Sequence, residues 1–90
     1  MAQFNGTPGP WHVSNENTLV IRDDEWLIPV ATAGYVTNEE ELATAYLIAA
    51  APELLEALEM LVLFTPRTKR NAVVLHKALA AINKATGETK

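Results

Sequence analysis

Ninety residues suffice for one small domain, and with 49% apolar and 20% charged residues the chain is expected to fold rather than stay disordered. The absence of cysteine excludes disulfides, thiolate nucleophiles and cysteine-based zinc sites. The net charge of −4 hides a division: residues 1–64 carry ten acids against Arg22 alone, a balance of −9, whereas residues 65–90 carry six cations against Glu88, a balance of +5.

Residues 1–10 contain Gly6-Thr7-Pro8-Gly9-Pro10 and read as an irregular lead-in. Met1–Gly6 has neither a basic segment nor an apolar run, so no signal peptide is expected, and cytoplasmic residence follows as the default. Trp11–Ser14 reads as a first strand, Asn15–Asn17 as an Asx-type turn, and Thr18–Arg22 as a second, β-branched strand. Asp23–Glu25 is expected to be a tight acidic turn. Trp26–Thr32 is expected as a third strand, with Trp26, Ile28 and Val30 on one face and Leu27, Pro29 and Ala31 on the other. Pro29 places that strand at an edge or at a bulge, because proline cannot donate to a ladder. A β-meander over 11–36 results.

Two overlapping capping boxes, Thr37 with Glu40 and Asn38 with Glu41, start a helix, and the reading favours Thr37 within a residue. Leu42, Ala45, Tyr46 and Ala49 form its stripe. Pro52 either kinks this helix or opens a second one, over about 52–64, with Leu54, Leu58 and Leu61 opposite an acidic ridge of Glu53, Glu56 and Glu59. Thr65-Pro66 repeats the start signal for a third helix over about 66–86. Leu75, Ala78, Leu79 and Ile82 are its stripe and Gly87 its stop. The short connection predicts an antiparallel helical hairpin. The whole is an α+β fold, a three-stranded antiparallel meander followed by a kinked helix and a helical hairpin; 37–86 is the helical part and 87–90 a tail. No apolar stretch is long and charge-free enough to span a membrane.

His12 and His76 lack neighbouring ligands at metal or triad spacing, and no phosphate loop or nucleophile motif is present. Neither enzyme activity, a metal nor a cofactor is expected. The most unusual feature is Arg67, Lys69 and Arg70, read as cations in the first turn of the last helix, where they oppose the macrodipole unless something anionic compensates. That anion is either an acidic ridge or a phosphate. Trp11, Trp26 and Tyr35 are candidates for stacking on a planar ligand, against the alternative that the two tryptophans pack on the helices. The acidic remainder opposes binding of long nucleic acid.

Thr7-Pro8-Gly9-Pro10-Trp11 and, further on, Leu47-Ile48-Ala49-Ala50-Ala51-Pro52-Glu53-Leu54-Leu55-Glu56-Ala57-Leu58 together resemble a family of small accessory proteins of tailed phages and prophages. The resemblance covers residues 7–14 and 42–63, and Ala43-Thr44-Ala45-Tyr46 departs from an Ala-Asn-Ala-Arg-like stretch of relatives. It implies a phage-encoded protein in the host cytoplasm and carries no catalytic residues. By analogy of lifestyle it implies an anti-defence role. The first expectation is a homo-oligomeric sponge that sequesters a small anionic nucleotide immune signal, through Arg67, Lys69, Arg70, Trp11, Trp26 and Tyr35. The alternatives are a protein-binding inhibitor of a host defence or regulatory complex, acting through the acidic face, and a structural or assembly protein.

Overall fold

β-branched and aromatic residues in the first third of the chain and alanine–leucine stretches in the rest dictate strands followed by helices. The computed structural model, which describes residues 6–16, 18–35 and 38–88, has this order. Strands β1 (Trp11–Asn15), β2 (Thr18–Asp23) and β3 (Pro29–Tyr35) precede helices α1 (Glu39–Ala49), α2 (Ala51–Phe64) and α3 (Ala72–Thr86). The strands form one antiparallel sheet in the order β1-β2-β3, so β3 lies at an edge, as Pro29 requires. Trp11 pairs with Asp23 and Val13 with Ile21 across the first ladder, and the second ladder shifts register twice.

The chain divides into two compact units, Thr7–Glu53 and the residues from Leu54 onward. In the first, Leu19 and Ile21 of β2 and Ala45 and Ala49 of α1 form the buried core, with Trp11, Val13, Val30, Ala31, Ala33, Leu42 and Ile48 packed around it. The alanines matter because their small side chains let α1 lie close on the sheet. In the second unit, α3 buries Leu75 and Ile82 and half-buries Ala78 and Leu79, the stripe its spacing predicts. Gly87 ends α3 at φ 80, and the Glu88 N–H returns to the Asn83 carbonyl at 2.7 Å.

The third strand differs from expectation: it runs from Pro29 to Tyr35, and Trp26–Ile28 belong to a loop. The Asp23 carboxylate takes the N–H groups of Trp26 and Ile28 away from any ladder, and Leu27 adopts φ 58. The proposed sharing of faces by Trp26 and Ile28 with Val30 therefore falls away. α1 starts at the second of its two capping registers: Asn38 Oδ1 accepts from the N–H groups of Glu40 and Glu41. Glu41 reaches back beyond the cap and accepts from the Tyr35 N–H at 2.6 Å, joining the end of β3 to the start of α1. The favoured Thr37 lies outside the described residues, as do Asn17 of the first turn and Val36. Pro52 stands second in α2, with the break at Ala50, so it opens a new helix where its missing N–H costs least.

α3 begins six residues later than Thr65-Pro66 suggests. Thr68 and Asn71 form a reciprocal box ahead of it: the Asn71 N–H donates to Thr68 Oγ1 at 3.3 Å, and the Thr68 N–H donates to Asn71 Oδ1 at 2.9 Å. Asn71 Nδ2 also donates to the Pro66 carbonyl at 2.9 Å. Arg67, Lys69 and Arg70 consequently lie in the turn before the helix rather than in its first turn, which lowers the macrodipole cost assigned to them.

Candidate binding surfaces

Three arrangements carry chemistry in the described residues. The first is the loop hung on Asp23. This residue ends β2, is 3% exposed, and accepts from the Trp26 N–H at 2.8 Å and the Ile28 N–H at 2.6 Å. Its backbone is engaged as well, with its N–H donating to the Ile28 carbonyl and its carbonyl accepting from the Leu27 N–H. Arg22 adds a second tie: its guanidinium donates to the Leu27 carbonyl at 2.8 Å and grips both Glu16 oxygens at 2.8 Å each. That fork holds the Glu16 carboxyl below its ordinary pKa and raises Arg22 above its own. The result is a braced loop that presents Trp26, Leu27 and Ile28 to solvent; Trp26 is 72% exposed. The acids Asp24 and Glu25 flank it, and Thr7–Pro10 complete a recess of about 290 Å³ beside it.

The second is a cleft of about 500 Å³ between β1 and the α1–α2 junction. It is lined by Trp11, His12, Val13, Tyr46, Ala49, Ala50 and Glu53. Trp11 is oriented by its indole N–H, which donates to the Pro8 carbonyl at 3.2 Å. A Cβ on Gly9 would come within 2.5 Å of Pro52 Cβ, so only glycine lets the lead-in lie against the junction. His12 is turned to Asp24, a hydrogen-bond partner that sequence spacing does not reveal because β1–β2 pairing brings it there. The α1 end of this cleft has no basic residue in its last turn.

The third is the turn of Arg67, Lys69 and Arg70, all exposed. Arg67 lines a recess of about 140 Å³ with Ala72, Leu75, His76 and Leu79; Lys69 and Arg70 do not. Among the described residues the salt bridges are His12–Asp24 and Arg22–Glu16, and none of the three cations pairs with a described residue.

The residues read from the sequence as one ligand site are thus distributed. Trp11, Trp26 and Tyr35 belong to the Thr7–Glu53 unit and the three cations to the other. Trp11 alone packs against the core; Trp26 and Tyr35 are exposed, so only one of the two tryptophans meets the helix packing expected of both. Sequence reasoning missed Tyr46 and Glu53 as neighbours of Trp11, although both lie in or beside the segments that carried the family resemblance.

On the outer side of α2, Leu54, Met60, Leu61 and Phe64 are exposed, and Ala57, Met60, Leu61, Phe64 and Thr65 line an apolar groove of about 460 Å³. Leu55, Leu58 and Val62 are half-buried on the other side, so α2 has two apolar faces. Among the described residues, no group of three or more His, Asp or Glu side chains is placed to hold a metal ion, and no helix is long and apolar enough to cross a membrane.

No curated protein and no solved structure matches the chain. A family model described as Salmonella phage P22 protein Y8K6 matches residues 1–89, including the segment beyond residue 64 that the motif resemblance left out. With nearly its whole length matched, the chain belongs to the Salmonella phage P22 protein Y8K6 family.

Proposed function

We propose that this phage-family chain is a non-enzymatic accessory protein of the host cytoplasm that counters a host defence or regulatory complex by occupying a basic protein surface. The observation that carries this reading is the Trp26–Leu27–Ile28 loop. An exposed aromatic with two aliphatic neighbours, braced through Asp23 and rimmed by acids, has the chemistry of an interface anchor. The Thr7–Glu53 unit that carries it has eight acids against Arg22, a balance of −7, which steers it toward positive partners. Presentation as a homo-oligomer is supported by the outer face of α2, which leaves large apolar side chains in water. Burying each fully is worth about 1.5–3 kcal/mol, and a second copy of the same face supplies a matching surface.

Purification from host lysate tests this. A basic host protein should accompany the wild type and be lost with Trp26→Ala, whereas a clean preparation with no stoichiometric partner contradicts it.

The recess shared by Arg67 and His76 favours a second reading, the sequestration of a small anionic nucleotide signal. Its volume suits a phosphate rather than a whole nucleotide. Calorimetry against cyclic and ADP-ribose-type nucleotides should then give heat that Arg67→Ala removes. No heat with any of them ends this reading.

A further inference from the structure

We infer that the Trp11–Tyr46–Glu53 cleft is a receptor for a basic side chain, and that the Arg67–Arg70 turn of a second copy fills it. This deepens the homo-oligomer reading by naming a polar contact separate from the apolar face of α2.

Two features of the cleft attract a cation, a carboxylate and a pair of aromatic rings. The Glu53 carboxylate lines it. Tyr46, Ala49 and Ala50 are the last turn and cap of α1, but α2 starts at Ala51, so the opposite helix ends meet at this junction and their partial charges offset; the net negative charge of the lining is that of Glu53. Pro52, four residues after Ile48, has no N–H to return to that helix. The rings of Trp11 and Tyr46 add π faces, which attract cations and match the flat guanidinium group. His12, the basic side chain in the lining, is already engaged by Asp24. A volume of about 500 Å³ accommodates a long side chain with its stem. The Glu53 carboxylate, standing in the first turn of α2, opposes an anion at that helix start.

The chain itself carries the complementary group. Arg67, Lys69 and Arg70 are exposed, none is salt-bridged among the described residues, and the Thr68–Asn71 box fixes the turn that presents them. The charges on the two compact units, −7 for Thr7–Glu53 and +3 for the remainder, oppose one another between copies. A cleft on one copy and a turn on the next make a head-to-tail contact, which either closes into a ring or extends.

The test uses the full-length chain with Trp26→Phe, which leaves Trp11 as the single tryptophan. Emission from Trp11 should shift with protein concentration at low salt and revert in 0.5 M salt (about a 4–5 Å screening length). Argininamide, used as a probe, should produce the same shift, and Glu53→Gln should weaken it; adenosine monophosphate should not produce it. The charge-reversed chains Glu53→Arg and Arg67→Glu/Arg70→Glu should each self-associate at least about tenfold more weakly through this step, and mixing the two should restore association. All three reversed positions are exposed, and circular dichroism checks that both variants fold. Failure of argininamide to move Trp11 emission, or failure of the mixture to recover, overturns the inference. Leu61→Asp leaves this salt-labile step intact while removing the apolar one, so loss of the α2 contact and loss of this contact are read separately.

Discussion

Asp23 illustrates how a single side chain redirects a segment that composition assigns elsewhere. Trp26, Leu27 and Ile28 have strong β propensity, yet a carboxylate buried three residues earlier captures two of their backbone N–H groups and bends the chain into a loop. Asp23→Ala leaves those two donors without their acceptor and should cost about 1–3 kcal/mol. For a chain of this size that lowers the melting temperature by about 4–8 °C for each kcal/mol, readable by calorimetry. Glu16 offers a pH-dependent counterpart. Its folded pKa is depressed, with the hydrogen bond from Arg22 as the main cause, so its contribution is present above the ordinary glutamate value and disappears as pH falls through the depressed one. The pair is solvent-exposed, so the effect is small. Glu16→Gln should flatten the acid limb of the stability curve slightly and leave the neutral-pH limb nearly unchanged. A steeper acid limb in that variant contradicts the assignment.

The elements were legible in the sequence wherever one local signal stood alone. β1, β2, the break before Pro52, the α3 stripe and the Gly87 stop follow from alternation, proline, periodicity and a left-handed glycine. The α3 start was misread, and the α1 start was fixed only to within a residue, because in each two local signals compete. Thr65-Pro66 has the chemistry of a helix start, but Thr68-x-x-Asn71 satisfies more backbone groups and sets the turn. Likewise Thr37-x-x-Glu40 and Asn38-x-x-Glu41 differ by one residue, and Glu41 is drawn to the Tyr35 N–H. Asn71→Ala removes the two side-chain hydrogen bonds, from the Thr68 N–H and to the Pro66 carbonyl, at the entrance of α3. It should cost about 1–2 kcal/mol and raise amide exchange through residues 68–75 while leaving β2 protected. Equal loosening of both regions contradicts the local role given to the box.

At the scale of the molecule, the charge division at residue 64 falls within the second compact unit, and the units keep opposite signs, −7 on Thr7–Glu53 and +3 on the remainder. What the sequence does not disclose is which residues share a surface. The tryptophan–tyrosine–glutamate cleft depends on β1 lying beside the end of α1, and that neighbourhood is set by long-range packing of Leu19, Ile21, Ala45 and Ala49. Of the residues first grouped as one ligand site, Trp11, Trp26 and Tyr35 belong to the Thr7–Glu53 unit and Arg67, Lys69 and Arg70 to the other. In α2, the same leucine-rich composition that made a helix legible leaves Leu61 and Phe64 in water, Phe64 being 73% exposed. Such a face is a standing drive toward assembly.

Sedimentation of the full-length chain over a wide concentration range, in low and high salt and alongside Leu61→Asp, addresses this most directly. The account predicts concentration-dependent association that survives high salt through the α2 face and is abolished in high salt by Leu61→Asp. A wild-type chain that stays monomeric at every concentration and salt level contradicts it.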